Sequence, residues 1–164
     1  MDTVSPARRS EIMAHIRSQN TGPEMIVRRF LYNAGLRYRL HDKNLSGKPD
    51  LVFPGRRLCL FVHGCFWHGC RKCADGTRKV KSRSAYWRTK IKSNRTRDRQ
   101  QTRALQLSGW IVQVAWECDL NKPEFLAQLA ATIRKRVVQP HQKRTKVTAQ
   151  TSRAEPQRHR RQCI

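Results

Sequence analysis

The stretch Phe61-Val62-His63-Gly64-Cys65-Phe66-Trp67-His68-Gly69-Cys70-Arg71-Lys72-Cys73 limits the folds open to this chain more than any other. It starts as an apolar strand and ends in two histidines, three cysteines and a Phe-Trp pair. A core strand does not finish in Gly-Cys-Phe-Trp-His-Gly-Cys, and a flexible loop does not spend Phe and Trp there. The mixture predicts a metal knuckle beside a nucleophilic or acid–base site, with exposed aromatics able to wedge into a partner. Cys70 and Cys73 form a Cys-x2-Cys pair, Cys65 lies just upstream, and Cys118 follows a later strand. Together they make a tetrahedral thiolate set for Zn²⁺. Four thiolates leave no open coordination position, so such a zinc is structural. His68 is a rival ligand, Cys59 is expected to pack within its strand, and Cys163 has no assigned role.

The partner is suggested by charge. With 35 Lys and Arg against 11 acids, the chain carries a net charge of +24, far beyond what solubility requires. That field attracts polyanions, nucleic acid first among them. A ribosomal-type structural protein and a binder of anionic membranes are the bland alternatives. Met1 to Arg9 contain no apolar h-region, and no stretch approaches the roughly 20 apolar residues of a membrane span. The expectation is a cytoplasmic, nucleoid-associated protein with reduced cysteines.

At 164 residues the chain suits one domain with a real core. We expect a flexible arm over 1–9, the folded domain over 10–138 and a disordered basic tail over 139–164 that adds phosphate affinity. Ser10 to Gln19 reads as a first helix, with Ile12, Met13 and Ile16 on one side. Thr21-Gly22-Pro23-Glu24 is a capping box with Pro in the first turn, leading a helix that Gly35 stops. Leu36, Tyr38 and Leu40 alternate with arginines as a half-exposed strand. Pro49 to Phe53 and Leu58 to Val62 form a hairpin around Pro54-Gly55 at the centre of a sheet. A long helix from about Ala85 to Leu107, a buried strand from Trp110 to Trp116 and an amphipathic helix from Pro123 to Val138 complete the pattern. This order gives a mixed α/β domain with helices flanking a sheet.

Folding that hairpin sets Asp50 across from about Val62, with His63 and His68 nearby. A carboxylate beside a backbone carbonyl is hard-oxygen chemistry suited to Mg²⁺. Each residue also has a plainer reading. Glu24 completes the capping box, Asp98 sits among Arg95, Arg97 and Arg99 as a helix ion pair, Trp87 is core, and Trp67 with Phe66 covers the zinc site. Lys72, Lys79, Lys81, Arg83 and Arg95 make a solvated basic face whose phosphate contacts position DNA without reading it.

Seven blocks occur in order: Ser10-x2-Met13, Thr21-x2-Glu24, Gly47-Lys48-Pro49-Asp50, His63-Gly64-Cys65-Phe66-Trp67-His68, Asn94-x3-Asp98, Gly109-Trp110 and Trp116-Glu117-Cys118. Over roughly Arg9 to Leu120 the chain resembles the very-short-patch repair endonucleases of bacteria. The resemblance implies a restriction-endonuclease-like fold. It implies a monomer that nicks double-stranded DNA 5′ to the thymine of a T·G mismatch left by deamination of 5-methylcytosine, with a 3′-hydroxyl and a 5′-phosphate as products. Mismatch-repair proteins and a repair polymerase are the functional links it suggests. Carried over residue by residue, Asp50 and the carbonyl of Val62 would hold Mg²⁺, and Glu24 would order metal-bound waters. His68, held by Asp98, would activate the attacking water, and His63 would stabilise charge on the phosphate. Phe66, Trp67 and Trp87 would enter the base stack. Cys70 stands where some relatives have His, which makes this zinc set all-thiolate. Two readings compete: a non-catalytic zinc-containing nucleic-acid-binding module, and a DNA nuclease without mismatch preference.

Overall fold

Every position from Leu58 to Val62 is apolar, so the strand they form needs cover on both faces, and it lies inside a four-stranded sheet ordered β1-β2-β3-β4. The computed structural model describes residues 5, 8, 11, 19–80 and 83–136. Nearly all of the helix expected over Ser10 to Gln19, the arm before it, Lys81, Val137 and the basic tail lie outside them. The strands are β1 (Arg39–Leu40), β2 (Leu51–Phe53), β3 (Leu58–His63) and β4 (Ile111–Trp116). The helices are α1 (Gly22–Asn33), α2 (Cys65–His68), α3 (Ala74–Thr77), α4 (Ser84–Leu107) and α5 (Pro123–Arg134). Among the described residues, no helix is long and apolar enough to cross a membrane.

The hairpin forms where Pro54-Gly55 directs it. A 3-10 turn over Pro54–Arg56 closes it, and β2 pairs antiparallel with β3 in the register Leu51↔Leu60, Val52↔Cys59, Phe53↔Leu58. Strand β4 returns parallel to β3 after the α4 crossover. Alternation along β3 then divides the core. Leu58 and Leu60 join Leu51, Phe53, Val27, Leu31 and Ile133, under α1 and α5. Cys59 joins Val52 and Leu105, under α4. Helices therefore cover both sheet faces.

Helix α1 begins at the capping box, with the Glu24 N–H on Thr21 Oγ1 and the Thr21 N–H on Glu24 Oε2, both at 3.4 Å. It ends in a left-handed Gly35, with Gly35 N–H on Tyr32 O and Leu36 N–H on Leu31 O, the two bonds that satisfy the last carbonyls of a helix. Two strands differ from expectation. The first is only Arg39–Leu40, because the arginines on either side of Tyr38 leave it little to bury. The last is an edge strand and not a buried one: only Ala115 is buried, and Val114 is 37 % exposed. Its apolar sequence serves one sheet face and a groove described below.

Candidate active site and metal centre

The Cys/His run leaves β3 at His63 and turns at once into α2, four residues that end on a left-handed Gly69 (φ 62°). A side chain at Gly69 would sit 2.8 Å from Ile91 of α4, so only glycine lets this turn pack there. The buried Asn94 of α4 donates to the Trp67 carbonyl at 2.8 Å and clamps α2 against the long helix.

This clamp brings two histidines and a carboxylate together. His68 Nδ1 donates to Asp98 Oδ2 at 2.6 Å, and the His63 ring stacks on His68 with centroids 3.9 Å apart and planes 9° from parallel. Burial works to raise the Asp98 carboxyl, but the hydrogen bond and charge of His68 outweigh it, and Asp98 titrates below the ordinary carboxylate value. A carboxylate on Nδ1 keeps a proton on that nitrogen, so in the neutral ring the lone pair lies on Nε2. His63 is pushed down to about 4, first by burial and then by the neighbouring His68. It is neutral at physiological pH.

Asp50 stands where the hairpin opens. Continuing the register would pair it with Phe61, one residue short of expectation, but its side chain reaches on: Oδ2 accepts the Val62 N–H at 2.7 Å. Oδ1 faces His41 Nδ1 at 4.0 Å, beyond hydrogen-bond reach. Burial raises the pKa of Asp50, and nearby Glu24 adds to it against the Val62 bond. His41 and Arg28 pull the other way without cancelling the rise, and a hard divalent cation would supply the remaining compensation. The donor set therefore fits Mg²⁺. Glu24, 2 % exposed, is the capping-box acid: Oε2 accepts the Thr21 N–H, and Oε1 binds Arg28. Asp50, Val62, Glu24, His63, His68 and Asp98 all line one open cleft of about 1050 Å³.

Four thiols meet behind that cleft. The sulfurs of Cys65, Cys70, Cys73 and Cys118 lie within 4.8 Å of one another, a spacing that could hold a metal ion. Cys118 arrives on a 3-10 turn just after β4, where its N–H donates to Cys65 Sγ at 3.3 Å. Buried Asp119 anchors the same turn through Lys72 and Lys122, each at 2.9 Å. The backbone at Gly76 passes so close to Cys70 that a Cβ there would lie 2.1 Å from the Cys70 carbonyl oxygen. Burial holds the Cys65 and Cys118 thiols above their ordinary pKa, whereas the Gly76 N–H lowers that of the half-buried Cys73. Soft ligands, four in number and converging, fit Zn²⁺. Cys59 is fully buried away from the cluster, as its strand position requires.

Phe66, Trp67 and Trp87 also come together, with ring centroids 5.0 to 5.6 Å apart. Tyr86, 56 % exposed, stacks edge-on against Trp87 at 5.3 Å and extends the cluster. Trp67 lines the cleft beside His68. On the far side of His63 and His68 a second groove of about 650 Å³ runs between α4 and β4, past Arg71, Arg95, Arg99 and Arg103. The last three stand one helical turn apart on α4.

Three participants escape a reading of the sequence. His41 and Arg28 close around Glu24, and Glu117 Oε2 accepts the Cys65 N–H at 3.0 Å on the cleft wall. The i, i+4 spacing of Glu24 and Arg28 was the available signal for one of them.

A sequence profile described as DNA mismatch endonuclease Vsr matches residues 1–75. The chain is 52% identical over 120 residues to the type II nicking enzyme V.XorIIP of Xanthomonas oryzae, covering 73% of this chain and 87% of that protein. It is 38% identical over 133 residues to the DNA mismatch endonuclease Vsr of Escherichia coli, covering 81% and 84%. With the type II nicking enzyme V.HpaIIP of Haemophilus parainfluenzae it shares 34% identity over 143 residues, 84% of this chain and 99% of that one.

Proposed function

This chain belongs to the family of Vsr DNA mismatch endonucleases, and from that premise we propose that it nicks one strand of double-stranded DNA 5′ to the thymine of a T·G mismatch. The T·G pair would be the one left by deamination of 5-methylcytosine, and the products a 3′-hydroxyl and a 5′-phosphate. The observation that carries the reading is the shared cleft: Asp50, the stacked His63 and His68, and Asp98 open onto one space large enough for a nucleotide backbone. A restriction-endonuclease-like core is consistent with the antiparallel hairpin joined to a parallel β3-β4 pair. Strand-resolved nicking of mismatched and matched duplexes in Mg²⁺ tests the proposal.

Asp50 and the Val62 carbonyl would hold Mg²⁺, with Glu24 oriented toward its waters. The cation's contribution there is to polarise the scissile phosphate. His68 accepts the proton of the attacking water on Nε2, and Asp98 steadies the imidazolium that results. His63 is neutral in the free protein, so it meets the phosphate as a single N–H donor, and the anion itself favours its protonation. The four thiolates would hold a closed, structural Zn²⁺ that fixes α2 and hence His68 and Trp67. We place the enzyme in the cytoplasm, acting on DNA as a monomer and handing a nicked strand to a repair polymerase.

Phe66, Trp67 and Trp87 would enter the stack at the mismatch, where unstacking, about a few kcal/mol per step, costs less than at a matched pair. The arginine row along the second groove would track backbone phosphates. These two sets forecast different results. Trp67→Ala should reduce the preference for T·G over T·A duplexes by about tenfold, the equivalent of one stacked base. Neutralising Arg95, Arg99 and Arg103 to Gln should weaken both duplexes alike and lower the salt slope of binding by about 2 to 3. Competition binding at several salt concentrations separates them. Equal loss on both duplexes in Trp67→Ala would assign the aromatic cluster to packing over the zinc site.

A further inference from the structure

Residues other than glycine seldom take a positive φ, and where they do the strain often gathers at a working site. Of the five such residues among those described, three, Asn20, His41 and Lys48, line the cleft that holds Asp50. Lys48 (φ 47°) is the one followed by a proline, whose ring crowds the preceding backbone and favours an extended conformation there. Its surroundings leave it little room to relax. Leu45 to Lys48 form a turn closed by the Lys48 N–H on Leu45 O at 3.1 Å, with Gly47 also left-handed (φ 76°). That turn is pressed against α4, where a Cβ on Gly47 would lie 2.6 Å from Gln101 Oε1. On the other side Pro49 is fully buried, and Asp50 is tied to the Val62 N–H.

The side chain held this way is exposed and lines the space that Asp50, His63 and His68 share. It has no ion-pair or hydrogen-bond partner among the described residues. Glycine or asparagine would sit in this backbone conformation at less cost. Lysine instead places an ammonium, a compact charge on a flexible stem, two residues from Asp50. Two residues span at most about 7 Å, and each strand of B-DNA carries a charge about every 3.4 Å along the axis. A phosphate within reach of Lys48 is therefore about one to three nucleotides from a phosphate at Asp50.

We propose that Lys48 binds a backbone phosphate of the thymine strand within about three nucleotides of the nick, and that its left-handed backbone is retained to aim it there. The proposal rests on the reading of this cleft as the site of DNA cutting. Lys48 then sets the position of the strand along the cleft, and with it which phosphate meets Asp50.

Binding of T·G duplexes that carry one neutral methylphosphonate linkage at a time, measured with zinc-loaded protein in the absence of Mg²⁺, tests it. In the unaltered protein, one linkage in that stretch of the thymine strand should weaken binding by about tenfold. In Lys48→Gly and in Lys48→Ala the same linkage should cost no more than about twofold, and the salt slope on the unmodified duplex should fall by about 1. Lys48→Gly should also melt about 2–4 °C above Lys48→Ala, because glycine accepts the left-handed backbone. Equal costs of every linkage in the unaltered protein and both variants, or coupling found only on the complementary strand, overturns the proposal. So does a Lys48→Gly protein that melts no higher than Lys48→Ala, since the backbone would then hold no strain. Failure of the unaltered protein to nick in Mg²⁺ would fall on the hydrolytic reading instead, because the coupling is read from binding alone.

Discussion

Asp50→Ala is expected to lower the nicking rate by about a thousandfold or more, with duplex affinity changed by no more than about threefold. The asymmetry follows from where the carboxylate sits. Asp50 touches Val62 N–H and faces the cleft, but it takes no part in either core cluster. Its removal forfeits one hydrogen bond, worth about 1 kcal/mol, and relieves a charge that burial already disfavours. The fold should therefore survive, and a thermal melt within a few degrees of the unaltered protein would establish that the loss is chemical. Asp50→Asn keeps an acceptor for the Val62 N–H and should be as inactive. Near-normal cleavage by either variant in Mg²⁺ would remove Asp50 from the site.

Losing a thiol of the cysteine cluster should do the reverse, costing the fold first. Cys70→Ser or Cys118→Ser is expected to abolish stoichiometric zinc and to leave a protein without a cooperative melt. Structural zinc contributes about 10–16 kcal/mol of apparent binding free energy in small sites, comparable with the whole stability of a domain at about 5–15 kcal/mol. Here the four thiols tie α2, the start of α3 and the turn after β4 into one unit. Cys59→Ala is the control. It removes a fully buried thiol from β3, away from the cluster, and should cost about 1–2 kcal/mol while zinc remains at one per chain. Elemental analysis beside circular dichroism reads both quantities. A metal-free protein with an intact melt would contradict the zinc assignment.

Much of this architecture is visible in the sequence because its signals are local. Pro54-Gly55 between two apolar runs writes the hairpin, Thr21 and Glu24 write the start of α1, and Gly109 ends the long crossover helix before β4. The cysteine spacing likewise brings Cys65, Cys70 and Cys73 together without tertiary knowledge, and Cys118 needs only the parallel β3-β4 pairing to join them. What was hidden depends on register and edges. His41 meets Asp50 because Leu40 pairs with Leu51, so the next residue out on each strand comes face to face. A two-residue strand gives no periodicity from which to read that. Trp110 to Trp116 looks buried on both faces because all its residues but Gln113 are apolar, yet among the described residues β4 has a neighbour on one side only. Arg28 reads as a surface cation until Glu24 and His41 close over it.

Strand-resolved nicking of two otherwise identical duplexes, one with a T·G pair and one with T·A, is the most direct measurement of what this cleft does. In Mg²⁺ the protein should cut only the thymine strand of the T·G duplex, immediately 5′ to the thymine. It should prefer that duplex by about a hundredfold or more, the discrimination that a pocket and one unstacked pair supply together. Chelation should stop the reaction, and His68→Ala and Asp98→Ala should fail on the same substrate. Equal cutting of both duplexes would leave a nuclease without mismatch recognition. No cutting of either by a folded, zinc-loaded protein in Mg²⁺, across several sequence contexts, would contradict the assignment of Asp50, His63, His68 and Asp98 as a hydrolytic site.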